Sequence, residues 1–95
     1  MFIVELTYVR PIEAVEENLE AHVAYLKEFY AKGVFIASGR KVPRTGGIIL
    51  ARCPSERELR DVLARDPFSR NGVAEYAVTE FVPSMAAEGL DGLVE

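Results

Sequence analysis

Residues 2–9, Phe-Ile-Val-Glu-Leu-Thr-Tyr-Val, are rich in β-branched and aromatic side chains and stop at Arg10-Pro11. That is the pattern of a strand followed by a break. Over residues 12–32 the rhythm changes. Val15, Leu19, Val23, Leu26 and Tyr30 recur every three or four positions, which marks one face of a helix. Glu13, Glu16, Glu17 and Glu20 crowd its start while Lys27 and Lys32 lie toward its end, the arrangement a helix dipole favours. Gly33 supplies the stop. Two short runs, 34–38 and 46–53, read as further strands, joined by the basic connection Gly39-Arg40-Lys41-Val42-Pro43-Arg44-Thr45. Ser55-Glu56-Arg57-Glu58 has the form of a capping box. It opens a second helix with Leu59, Val62 and Leu63 on its apolar face and Pro67 as its end. A last strand covers 73–82 and is closed by Pro83, leaving a tail over 84–95 with weak helical character at 85–88.

The element order is β-α-β-β-α-β, which predicts an α+β, ferredoxin-like fold with two helices on one face of a single antiparallel sheet. Residues 1–83 form the one domain that a chain of 95 residues has room for, and 84–95 form the tail. Phe2, Ile3, Val4, Leu6, Ile48, Ile49 and Leu50 are apolar on both faces of their strands. A sheet with one wet face alternates instead. A cover for the second face is therefore expected, and a second copy of the chain is the simplest one, giving a homodimer packed sheet to sheet.

Composition narrows the partners. A hydrophobic share of 49% and a charged share of 27% suit an ordinary globular domain. The net charge of −4 argues against nucleic acid, which asks for a basic surface. The first residues lack the basic start and apolar run of a signal peptide, and no apolar stretch is long enough to span a bilayer. A cytoplasmic protein without a membrane partner is the expectation. Cys53, the single cysteine, has no partner for an internal disulfide and is expected to be a buried structural thiol. No phosphate-binding glycine loop, dinucleotide fingerprint or metal-ligand cluster is visible, so neither cofactor nor metal is expected.

His22 is the only histidine. It carries the one side chain here that ordinarily titrates near neutral pH. At about 100° per residue it lies roughly 60° from the axis of the apolar stripe, on the shoulder of the buried face. An imidazole there needs a partner for its N–H. Asp66 is the candidate, since it continues the Leu59-Val62-Leu63 stripe by three residues. Such a pair fixes the imidazole's tautomer and prepares a general base, although buried His–Asp pairs also serve as plain structural hydrogen bonds. The second constellation is the basic connection. Arg40, Lys41 and Arg44, flanked by Gly39, Gly46 and Gly47, offer an arginine fork for a small carboxylate or phenolate. A solvated surface run is the bland alternative. Ser38 either donates a hydrogen bond to a ligand or merely ends a strand. Tyr8, Tyr25, Tyr30, Phe68 and Tyr76 read as core or interface aromatics.

These residues resemble a known family. Leu19-Glu20-Ala21-His22-Val23-Ala24-Tyr25-Leu26, Ala37-Ser38-Gly39, Pro43-Arg44-Thr45-Gly46-Gly47-Ile48-Ile49 and Asp66-Pro67-Phe68 with Gly72 are similar to motifs of the YCII-related proteins, in the same order. Glu80-Phe81 fits the last strand, and the resemblance covers the chain to about Pro83. It implies a ferredoxin-like fold forming a dimeric α+β barrel, with His22 and Asp66 as an active-site dyad. It also implies a pocket beside Ser38 and Gly39; Arg40, Arg44 and Phe68 are the further candidates for substrate binding. One kind of family member is a dehydrochlorinase of a chlorinated hydroxyquinol. Many members follow the glycine with proline where this chain has Arg40, a departure that alters the pocket mouth and its charge. The function expected is cofactor-independent acid–base chemistry of elimination, isomerisation or lyase type on a small anionic or aromatic compound. The alternative is a non-catalytic ligand-binding or accessory dimeric module using the same pocket.

Overall fold

The computed structural model describes all 95 residues. Strand β1 (Phe2–Tyr8) is followed by helices α1 (Ile12–Glu17) and α2 (Leu19–Ala31), then by strands β2 (Phe35–Arg40) and β3 (Gly46–Ala51). Helices α3 (Glu56–Leu63) and α4 (Pro67–Arg70) lead into strand β4 (Ala74–Glu80). The four strands form one sheet in the order β2-β3-β1-β4, with every neighbouring pair antiparallel. This is the ferredoxin-like α+β arrangement the element order predicts. No helix is long and apolar enough to cross a membrane.

All the helices pack on one face. Phe2, Val4 and Leu6 of β1 and Ile49 and Ala51 of β3 are buried beneath Val15, Tyr25, Phe29, Leu59, Leu63 and Phe68. Burying each large side chain of this kind is worth about 1.5–3 kcal/mol, so this layer supplies most of the driving force for folding. Side chains of β1 alternate strictly between buried and exposed. The outer face thus shares Ile3 with Glu5 and Thr7, and Lys41 reaches over to both polar groups, 3.5 Å from the Glu5 carboxylate and 3.3 Å from the Thr7 hydroxyl. Ile3 and Ile48 are only 38% and 36% exposed there.

The first helical segment departs from the predicted single helix. It breaks at Asn18, whose side-chain amide donates to the Ala14 carbonyl at 2.8 Å and whose oxygen accepts from the Asn71 amide at 2.6 Å. The break resets the phase. In α2 the buried residues are His22, Tyr25 and Phe29, whereas Leu19, Val23 and Tyr30 of the predicted stripe keep 36–38% of their exposure. His22 therefore belongs to the buried face itself. The helix runs out at Gly33, whose φ of 76° is open to glycine at little cost.

The second helical segment also divides. Ser55 caps α3 by accepting from the Glu58 amide at 3.2 Å, but the return bond of a full capping box does not form. Pro67 is not the end of that helix. It is the first residue of α4, where its missing N–H costs nothing, and Asp66 is the N-cap. Tyr25 ties α2 to α3 by donating to the Val62 carbonyl at 2.9 Å. Cys53 is half-buried, and burial pushes its thiol pKa up. The tail contains no helix at 85–88. It returns to the sheet end, where Arg52 donates to the Gly92 carbonyl and Glu95 meets the Met1 ammonium.

Candidate functional site

Strand register lays out the floor of a pocket. Directly opposed residues of an antiparallel ladder point to the same face. Across the helix-covered face one row reads Val78, Val4, Ile49 and Ser38, and the next reads Tyr76, Leu6, Gly47 and Arg40. Gly47 leaves a gap in the second row, between Leu6 and Arg40. Helix α2 overhangs that gap with Leu19, His22, Val23 and Leu26, bounding a half-open cavity of about 260 Å³. Ser38, Gly39, Arg40, Arg44 and Phe68 also line it. His22, Ser38, Gly39, Arg40, Arg44 and Phe68 thus surround one space, while Asp66 stands behind the wall. Lys41 leaves the group, because its ammonium is engaged on the outer face of the sheet.

Asp66 is 0% exposed and every donor around it is accounted for. Its Oδ1 accepts from His22 Nδ1 at 2.8 Å and from the Phe68 amide at 2.9 Å. Its Oδ2 accepts from the Tyr76 hydroxyl at 2.6 Å. A carboxylate that only accepts assigns the imidazole proton to Nδ1 and leaves the lone pair on Nε2. Nε2 has no partner in the chain and is not sealed from solvent; the side chain keeps 11% of its exposure. Phe68 stacks flat on the imidazole, with ring centroids 3.9 Å apart and planes within 5°. The tripeptide Asp66-Pro67-Phe68 therefore holds both the edge and the face of His22.

Tyr76 escaped the sequence reading as a polar partner. Its signal was present: on the inward side of β4, between Ala74 and Val78, a tyrosine needs a partner for its hydroxyl. Burial, and then the negative charge of Asp66, push the Tyr76 phenol well above its ordinary 10.0, and the same two causes raise Tyr25. Above pH 10 the unfolded chain releases these protons while the folded chain keeps them. Stability from this source is complete below pH 10 and is lost as pH rises, by about 1.4 kcal/mol per pH unit for each tyrosine. Urea melts across the alkaline range should show that slope, and Tyr76→Phe should halve it. A flat profile above pH 10 would contradict it.

At the mouth, Tyr30 and Ser38 share a hydrogen bond through their hydroxyls, so Ser38 is held by α2 rather than free. Arg44 lies 3.8 Å from Glu16, and Arg40 forms no ion pair. The chain gathers no group of three or more His, Cys, Asp or Glu side chains that could hold a metal ion. Chemically, the arrangement offers one oriented proton acceptor, two guanidinium groups and an apolar floor.

Comparison with known proteins agrees with this architecture. Among solved structures, the fold is similar to 5-chloro-2-hydroxyhydroquinone dehydrochlorinase from Burkholderia phenoliruptrix AC1100, in complex with 2,5-dihydroxybenzoquinone. The TM-score is 0.73 at 21% identity, over 87% of this chain and 95% of that one. No curated protein matches. A family model, the YCII-related domain, matches residues 1–82. With the match running from β1 through β4, the chain belongs to the YCII-related family.

Proposed function

We propose that this protein is a cofactor-independent enzyme that removes a proton from a small anionic or aromatic compound, in an elimination, isomerisation or lyase reaction. The observation that carries the reading is the commitment of His22 Nδ1 to Asp66 while Nε2 stays unpartnered on the pocket wall. His22 acts as general base through Nε2, taking a proton from an O–H or an acidic C–H. Asp66 orients the ring and stabilises the imidazolium formed. Arg40 or Arg44 steadies the negative charge that develops. The similar dehydrochlorinase acts on an oxygenated aromatic ring, which supports the same substrate size here.

The working unit we propose is a homodimer in the cytosol, formed across the outer sheet face, where Ile3, Ile48 and Leu50 present apolar surface. The test combines both points. A thermal-shift screen of hydroxylated aromatics and oxo acids is run on wild type and on His22→Ala, with sedimentation of the same samples. Ligands are expected that wild type transforms and the variant transforms roughly 10²- to 10⁴-fold more slowly. Ligands bound but left unchanged by wild type would point instead to the non-catalytic module. A monomeric mass at micromolar concentration would remove the dimer.

A further inference from the structure

We infer that the ligand of this pocket arrives already carrying a carboxylate, which lies between Arg40 and Arg44 while its apolar or aromatic body covers the floor beneath His22. The inference rests on the pocket proposed above and adds the class of substrate. It begins from charge. The chain has 15 acidic and 11 basic residues, yet the cavity wall holds two arginines and no aspartate or glutamate. An acidic protein that keeps carboxylates out of one cavity and lines it with guanidinium groups has made a site for an anion.

Placement strengthens the point. Arg40 stands opposite Gly47 in the ladder, so its stem lies beside the gap that forms the cavity, and it has no ion-pair partner of its own. The carboxylate nearest Arg44 belongs to Glu16, 3.8 Å away on a side chain that is itself mostly in solvent. A bond so long and so exposed is readily given up to a better acceptor. Two guanidinium groups on a cavity wall that holds no carboxylate call for a negative charge present before any reaction. Planar guanidinium forks match planar carboxylates. The apolar floor of Leu6 and Ile49, with Leu26 above it, accounts for the remainder of the molecule.

The experiment titrates the full chain, by amide NMR shifts, with hydroxylated benzoates and 2-oxo acids, each beside its primary amide. Phenyl phosphate and the parent phenols complete the set. At least one carboxylate should bind about tenfold or more tightly than its amide. Added salt should shrink that preference. Arg40→Gln and Arg44→Gln should each remove most of it with an unchanged circular-dichroism spectrum, and Arg40→Lys should retain part. His22→Gln should leave it intact, because the carboxylate is held away from the imidazole. Equal binding of acids and amides, survival of the preference in both glutamine variants, or tighter binding of phenyl phosphate would overturn the assignment. A carboxylate preference without turnover would leave it standing and remove the general base. Turnover of neutral phenols alone, dependent on His22, would do the reverse.

Discussion

Replacing Asp66 by alanine should lower the free energy of unfolding by about 3–5 kcal/mol, a large part of the stability of so small a domain. Three donors lose their acceptor at once: His22 Nδ1, the Phe68 amide and the Tyr76 hydroxyl. His22 Nδ1 and the Phe68 amide cannot turn to water without opening the layer between helices and sheet, because their bonds to Asp66 are buried. The short helix α4 also loses its N-cap. Asp66→Asn separates hydrogen bonding from charge. Its carbonyl can still serve His22 and the Phe68 amide, and its new amide can donate to the Tyr76 oxygen, so a loss of only about 1–2 kcal/mol is expected. Urea unfolding of the two variants checks this. An alanine variant as stable as the asparagine one would show that the three donors find other partners.

The second large effect is expected from Gly46→Ala. A methyl group at this position would stand 1.8 Å from the Leu6 carbonyl oxygen and 3.1 Å from the Thr7 Cα, both backbone atoms of β1. They cannot yield unless β1 and β3 part at the Leu6–Gly47 and Thr7–Gly46 rungs. Because Leu6, Gly46 and Gly47 all line the cavity, its floor should open with the ladder. A loss of at least about 3 kcal/mol is expected, at the upper end for a single added methyl. Gly39→Ala is the internal control. Nothing lies within 4 Å of its Cβ position, so stability should change by less than about 1 kcal/mol. Paired thermal melts decide the matter, and a Gly46→Ala protein that melts with wild type would contradict the close approach of the two strands.

The sequence reading went wrong where local chemistry interrupts a rhythm. Element order and sheet topology followed from strand composition, breaks and helical spacing, because each element is long enough to show its own period. The stripe of Val15, Leu19, Val23, Leu26 and Tyr30 is real and Val15 is buried, yet past Asn18 the buried row is its neighbour of the same spacing, His22, Tyr25 and Phe29. A helix that is apolar around a broad arc gives periodicity no means of choosing between core and cavity wall. Asn18 hid the change of phase. Asp66 points inward, as its spacing from Leu59, Val62 and Leu63 implies, but as the N-cap of α4 rather than as a continuation of α3. Gly47 as the origin of the cavity could not be seen at all, since its partners in the row come from three other strands.

The stacking of Phe68 on His22 has a consequence for timing. An imidazole free to turn about its Cβ–Cγ bond would, after half a rotation, present a carbon where Nε2 had been and break its bond to Asp66. With Phe68 parallel to the ring at 3.9 Å, that rotation would have to sweep through a neighbouring aromatic plane. The ring is thus set in position during folding rather than on encounter with a ligand. A ligand that enters the cavity meets a nitrogen whose direction is already settled, so under the proposed reaction the ring needs no reorganisation of its own.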